Sequence, residues 1–249
     1  MAYVDHLRKT TGEKVTIGHI IGKAVAMALK KASGLNGRIV FGKYVPFETV
    51  DIAFLVALED GRDLAKKKIE RADEKSIVEI AAILKEGASK LRDGKDDAFE
   101  KSKGLVRLLP TALLGPVLWF TGFLTSSLGI AAMGLEAFPF GSCIITNVGG
   151  FGVDEAYAPP TPFARVPVLI LVGAVKEQAA VVNGKVVPRP MVTVTATVDH
   201  RFIDGAQLGI LGKVVRQGVE APWTLDGLSQ APWNEPTVAA EVASEAATA

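Results

Sequence analysis

The sequence predicts an α/β fold, with one large mixed β-sheet and helices flanking it. Three observations carry that reading. Runs with apolar residues at helical spacing alternate with runs rich in Val, Ile and Thr, and the strands become denser in the second half. Asn183-Gly184 separates two such runs, a strong short-range signal for a tight hairpin. The chain has 249 residues, 49% of them hydrophobic, enough to bury a sizeable core.

Taken in order, Met1 to Thr16 is charged and lacks the apolar stretch of a signal peptide. Thr16 opens an apolar-periodic run through Ile20, Ile21, Ala24, Val25, Met27, Ala28 and Leu29, a helix ending near Gly34. Arg38 to Tyr44 and Thr49 to Leu58 are β-rich, and the short turn containing Pro46 predicts that they form a hairpin. Asp73 precedes a second helix, with Ser76, Ile77, Ile80, Ala81, Ile83, Leu84, Ala88 and Leu91 at helical spacing up to Arg92-Asp93-Gly94. A charged linker, Lys95 to Lys103, follows. Ser142 to Asn147 reads as a short buried strand that stops at Gly149-Gly150. Arg165 to Val175 is nearly all aliphatic, and Val186 to Val198 ends in Val and Ala alternating with Thr. Asp204 stands where it caps a last helix through Leu208, Leu211, Val214 and Val215, with Gln207 at the spacing of a capping box. Residues 1–236 read as a single domain, and 237–249, rich in Ala, Glu, Val, Thr and Ser, as a disordered tail.

Charge and cysteine content narrow the function. Lys and Arg number 28 against 27 Asp and Glu, a net charge of +1, so nothing points to a nucleic acid. The one cysteine excludes an intrachain disulfide and a thiolate metal cluster, which suits a reducing compartment, and a cytoplasmic location is expected. Mean hydropathy is high at +0.28. Much of the excess lies between Leu108 and Leu135, which contains no charged residue. A bilayer-spanning helix needs about 20 apolar residues, but Pro110, Pro116, Gly122, Gly129 and Gly134 interrupt this stretch. Three readings stay open: an apolar helical hairpin packed on this or a neighbouring subunit, a lipid-facing surface flanked by Lys101, Lys103 and Arg107, and a pocket lid.

Of the three histidines, His6 and His19 read as surface or capping residues. His200 differs, because it falls between the end of a Thr/Val strand and the start of a helix, in Asp199-His200-Arg201-Phe202-Ile203-Asp204-Gly205. A neutral imidazole held there can take a proton from a thiol or hydroxyl near pH 7. The alternative is a turn residue bonded to backbone.

The stretch from Asp199 to Gly205 resembles the His-x-x-x-Asp-Gly signature of the 2-oxo acid dehydrogenase acyltransferases and of the chloramphenicol acetyltransferases. The likeness extends to Val15–Leu29, Val50–Leu58, Ala72–Gly94, the turn Ile144 to Gly152, Val172–Val175 and Arg189–Thr195, about 70% of the chain in the family's order. It implies a chloramphenicol acetyltransferase-like mixed-sheet sandwich, with residues 105–137 as an apolar insertion. It implies that His200 is the base that deprotonates the thiol of coenzyme A or of dihydrolipoamide. Thr146 then takes the position of the oxyanion donor, and Asp204 that of a supporting carboxylate. Asn147, Arg201, Lys66 and Lys67 are the candidates for holding coenzyme A. The lipoyl group would come from another chain, and the assembly would be a homotrimer, or a larger cage, in which His200 of one subunit faces Thr146 of the next. Cys143 lies three residues before Thr146 and therefore on the opposite strand face, which makes it a core residue rather than a nucleophile.

Four departures from the family pattern stand out. The sequence reads as lacking the family's N-terminal arm and its lipoyl and peripheral-subunit-binding domains. Gly61 to Ile69, with Lys66-Lys67-Lys68, replaces an apolar, proline-containing strand, and reads either as a solvated face or as a grip on the phosphates of coenzyme A. The apolar segment replaces a short polar link. The missing arm and the altered strand leave a second function class open, a scaffold that assembles without catalysis.

Overall fold

The computed structural model describes residues 1–58, 63–92 and 109–233. The elements in order are helices α1 (Ala2–Thr11) and α2 (Ile17–Lys31), strands β1 (Gly37–Val40), β2 (Lys43–Pro46), β3 (Ile52–Leu58) and β4 (Asp63–Ile69), and helix α3 (Ile77–Arg92). Helix α4 (Thr111–Gly122), strands β5 (Cys143–Asn147), β6 (Val168–Val182) and β7 (Lys185–Val198), and helix α5 (Gly205–Glu220) follow. The linker 95–103 and the tail 237–249 lie outside the described residues.

Five strands form a mixed sheet in the order β4-β3-β5-β6-β7. β3, β5 and β6 run parallel, and the two edge strands run antiparallel to their neighbours. Alternation along each strand separates two faces. Ile52, Phe54, Cys143, Ile145, Val168, Ile170 and Val172 point to the helical layer, where Ile21, Val25 and Leu29 of α2 and Leu211 and Val215 of α5 close the core. Gly22 permits that approach, because a Cβ there would lie 2.3 Å from the Phe54 ring. Ala53, Ile144, Leu169 and Leu171 form the other face, which Ala164 and Val166 cover together with half-buried Phe140 and Val148. The predicted mixed sheet with flanking helices is therefore present.

Two local expectations are corrected and one element is added. Arg38–Tyr44 and Thr49–Leu58 do not pair with each other. The hairpin closes earlier, at Phe41-Gly42, both at positive φ (49° and 78°), so β1 pairs with β2 while β3 enters the main sheet. The charged N-terminus, for which the sequence predicts no element, forms α1, which buries Tyr3, Val4 and Leu7 against Val15, Ile20, Ile77 and Ala81. Asp226 ties this corner together by accepting from Tyr3 Oη at 2.7 Å and from the backbone of Ile77 at 3.0 Å. Finally, the apolar segment is not a helical hairpin. α4 passes into a π-helical turn at Phe123–Leu128 and ends at Gly129 (φ 71°), and no second helix follows before β5. Met133, Gly134, Phe138 and Gly141 at positive φ keep that stretch irregular.

Asn183 (φ 51°) and Gly184 (φ 79°) form the expected tight turn. The hairpin it closes is longer than the sheet. β5 reaches β6 only as far as Val172, whereas β6 and β7 stay paired out to Val182 and Lys185.

Candidate active site

His200 sits in the turn between β7 and α5 and is exposed. The turn is fixed on all sides. The Asp199 amide donates to Pro167 O at 2.9 Å, the Phe202 amide donates to Asp199 O at 3.0 Å, and Ile203 is buried in the main core. The Asp199 carboxylate accepts from the Arg201 amide and from Arg201 Nε, each at 3.0 Å, and the Arg201 side-chain hydrogen bond holds the Asp199 carboxyl below its ordinary range. Arg201 is thus engaged with Asp199, next to His200. Asp204 caps α5 as expected, accepting from the amides of Ala206 at 3.1 Å and Gln207 at 3.3 Å. Gln207 does not complete a capping box. Its side chain turns toward Gly34, where a Cβ would lie 2.4 Å from Oε1, and Oε1 is buried without a partner.

Thr146 is half-buried near the end of β5, in register with Leu55 of β3 and Leu171 of β6. It shares the face of Ile144, opposite Cys143. Cys143 is 0% exposed, and burial pushes its thiol well above the ordinary range, which leaves an inert core residue. Asn147 is exposed, and its Oδ1 accepts from the Gly149 amide at 3.0 Å; its Nδ2 lies near Gly18 at the start of α2.

Sheet register fixes the separation between the two principal candidates. The Thr146 row continues through Leu171 to Thr195 of β7, five residues before His200. Two strand spacings and that stretch of chain put Thr146 and His200 about 15 to 20 Å apart within one chain. They lie at opposite ends of the strands.

Lys66 and Lys67 border one cavity, but from opposite faces of the sheet. β4 lies at the sheet edge remote from β7, and its alternation sends the two side chains to opposite faces. Lys67 lies along α3, its methylenes 2.8 to 3.0 Å from where a Gly87 Cβ would be. Lys66 and Lys68 share the Thr146 face and pair with Glu136 at 2.8 and 3.2 Å. The lysine run is therefore a half-buried strand rather than a solvated face. Glu136 was not among the sequence candidates, because a charged residue following a long apolar stretch carries no local signal of what it meets across the sheet.

The remaining histidines have structural settings. His19 Nδ1 accepts from the Thr16 amide at 3.1 Å, and burial, with the Arg8 charge second, lowers its pKa to about 4. His6 stacks on Tyr3 with ring centroids 6.2 Å apart. No group of three or more His, Cys, Asp or Glu side chains suited to a metal occurs among the described residues.

The apolar helix is rooted near the His200 turn. Arg165, two residues before the carbonyl that holds Asp199, places its guanidinium 5.2 Å from the Trp119 ring and 5.5 Å from Phe123, and donates to Ser127 Oγ at 3.4 Å. Beyond that root the helix is open to solvent, with Leu113, Trp119 and Phe120 at least half exposed. Thr111–Leu128 is the one described helical stretch long and apolar enough to cross a membrane, by length and composition only.

The family model for the 2-oxoacid dehydrogenases acyltransferase (catalytic domain) matches residues 1–135 and 131–226. The chain belongs to that family. Among curated members of the acyltransferase family, it is 28% identical over 222 residues to the dihydrolipoyllysine-residue succinyltransferase component of the Saccharomyces cerevisiae 2-oxoglutarate dehydrogenase complex, covering 88% of this chain and 39% of that one. It is 29% identical over 211 residues to the Bacillus subtilis lipoamide acyltransferase component of the branched-chain alpha-keto acid dehydrogenase complex, covering 84% and 40%. The chain thus spans about 40% of the length of these acyltransferase-family relatives. In fold, it is similar to the cubic core of the pyruvate dehydrogenase multienzyme complex, with a TM-score of 0.65, 23% identity and coverage of 90% and 77%. It is also similar to the truncated catalytic core of the Thermoplasma acidophilum 2-oxoacid dehydrogenase multienzyme complex, with a TM-score of 0.58, 22% identity and coverage of 89% and 81%.

Proposed function

We propose that the chain transfers an acyl group between coenzyme A and a lipoyl-type thiol, in a site shared between two copies. The observation that carries this is the separation of His200 from Thr146. An imidazole on a backbone-held turn and a hydroxyl on the sheet lie at opposite ends of the strands, which is the arrangement expected when neighbouring copies of a homotrimer complete each other's sites. Family membership supplies the reaction class.

His200 takes the proton of the attacking thiol, and the thiolate adds to the thioester carbonyl. The Thr146 hydroxyl of the adjoining copy donates to the oxyanion that forms. Collapse of the tetrahedral intermediate breaks the original C–S bond, and the imidazolium returns its proton to the departing thiolate. No acyl-enzyme forms, and Cys143, buried on the other face, takes no part. Asp204 and the Asp199–Arg201 pair hold the His200 turn, and Asn147 orders the turn after Thr146. The lipoyl group comes from another chain, and assembly beyond the trimer into a cage and a cytoplasmic setting belong to the same reading.

The test is His200→Ala assayed for acyl transfer from a coenzyme A thioester to dihydrolipoamide. A loss of about 10²- to 10⁴-fold in kcat is expected for a general base. Unchanged turnover removes His200 as the base. Intact oligomers that neither bind coenzyme A nor turn over point instead to a scaffold.

A further inference from the structure

At the β4 edge the sheet borders an open cavity of about 740 Å³ that wraps the strand, with the 134–140 segment on the Thr146 face and Lys67 and Ile83 on the helical face. Leu55, the register partner of Thr146, lines it, together with Leu135 and Phe140. Lys66, in turn the register partner of Leu55, stands in the same row, so Thr146 lies two strand spacings, about 10 Å, from the cationic wall.

That wall has an unusual occupant. Glu136 extends from the segment opposite and places Oε1 2.8 Å from Lys66 Nζ and Oε2 3.2 Å from Lys68 Nζ. The Lys68 side chain is only 10% exposed and that of Lys66 22%, so both ammonium groups are drawn in from solvent. Glu70 meets Lys68 from the other side at 3.2 Å, and Lys75 adds a further cation to the lining. Burial disfavours the Glu136 charge, yet the two lysines hold its carboxyl below the ordinary range. One carboxylate with an oxygen on each of two lysines occupies the place that two phosphate oxygens would take.

We propose that this cavity binds a phosphate ester with a long uncharged arm, and that Glu136 is a built-in competitor that the phosphate displaces from Lys66 and Lys68. The arm lies along Leu135, Phe140 and Leu55 toward Thr146. The identity of the ester rests on the acyltransferase reading, in which it is coenzyme A; the anion site rests on the cavity itself. Because Glu136 belongs to the segment that follows the apolar helix, filling the site and repositioning that segment are one coupled event, each favouring the other.

Calorimetric titration of the intact chain with inorganic pyrophosphate, coenzyme A and pantetheine tests this. Glu136→Gln should tighten pyrophosphate and coenzyme A about tenfold and leave pantetheine unmoved. Lys66→Ala combined with Lys68→Ala should weaken both anions more than tenfold, with thermal melting confirming that each variant is folded. Anion binding that Glu136→Gln leaves unchanged or weakens, or that survives loss of both lysines, overturns the proposal. If pyrophosphate responds and coenzyme A does not, the ester assignment fails and the ligand is free polyphosphate. A pyrophosphate response without any acyl transfer keeps the cavity and removes the acyltransferase reading. His200-dependent turnover with pyrophosphate binding indifferent to Glu136 does the reverse.

Discussion

Two inactive variants of this chain should restore each other. His200→Ala keeps Thr146, and Thr146→Ala keeps His200; within either chain the two positions are about 15 to 20 Å apart across the sheet. Alone, the first should lose about 10²- to 10⁴-fold in kcat and the second about 10²- to 10³-fold. In cyclic trimers assembled from equal amounts of both, each site draws His200 from one copy and Thr146 from the next, so about one quarter of the sites are complete. The assay is acyl transfer from a coenzyme A thioester to dihydrolipoamide, using two differently tagged variants co-purified through both tags. Selection through both tags removes the all-parent trimers, and every mixed trimer has one complete site in three, so recovery to about a third of the unmodified rate is expected, far above either variant alone. Verified mixed particles no more active than the average of the two parents would refute a site shared between copies.

Three further outcomes follow from the same coordinates. Between pH 6.5 and about 4 the unfolded chain binds a proton that His19 refuses in the folded state, so the stability from its lowered pKa is complete above 6.5 and lost as the pH falls toward 4. Thermal melts should show a decline of about 2 to 3 kcal/mol over that window, flattened in His19→Gln; an unaltered slope in that variant contradicts the assignment. Gly173→Ala should cost about 2 to 3 kcal/mol in denaturant unfolding, because the new Cβ would lie 1.9 Å from the backbone oxygen of Asp154. Cys143, fully buried, should resist maleimide in the native state and label completely in denaturant, and rapid native labelling would contradict its core position.

Much of the fold was legible because its signals are local. Asn183-Gly184 dictates a turn that only residues tolerant of positive φ adopt, and Asp204 before an amphipathic run is a cap wherever the run packs. Cys143 and Thr146 separated by strand alternation alone. What failed needed tertiary information. Pro46 looked like the turn, but Phe41-Gly42 takes it, because β3 finds a better partner in the parallel β5. α1 was hidden by its charged outer face, and Tyr3, Val4 and Leu7 acquire meaning only against Val15, Ile77 and Ala81. Gln207 had the spacing of a capping box, but its side chain is drawn toward Gly34 instead. Lys66 and Lys67 are adjacent in sequence and therefore opposed in a strand, while Glu136, the partner of Lys66, is remote in sequence.

Among the described residues, the β6–β7 ribbon beyond Val175 has no third strand to lean on, and most of its residues face solvent. Two-stranded ribbons of that kind are marginal by themselves and present bare amide edges that other chains can join. Pro188 and Pro190, opposite Ala179 and Glu177, lie two residues apart and so remove two amide hydrogens from one and the same edge of β7. An incoming strand would find acceptors there without the donors that alternate with them. The prolines let the ribbon reach past the body of the protein while making it a poor template for edge-to-edge aggregation.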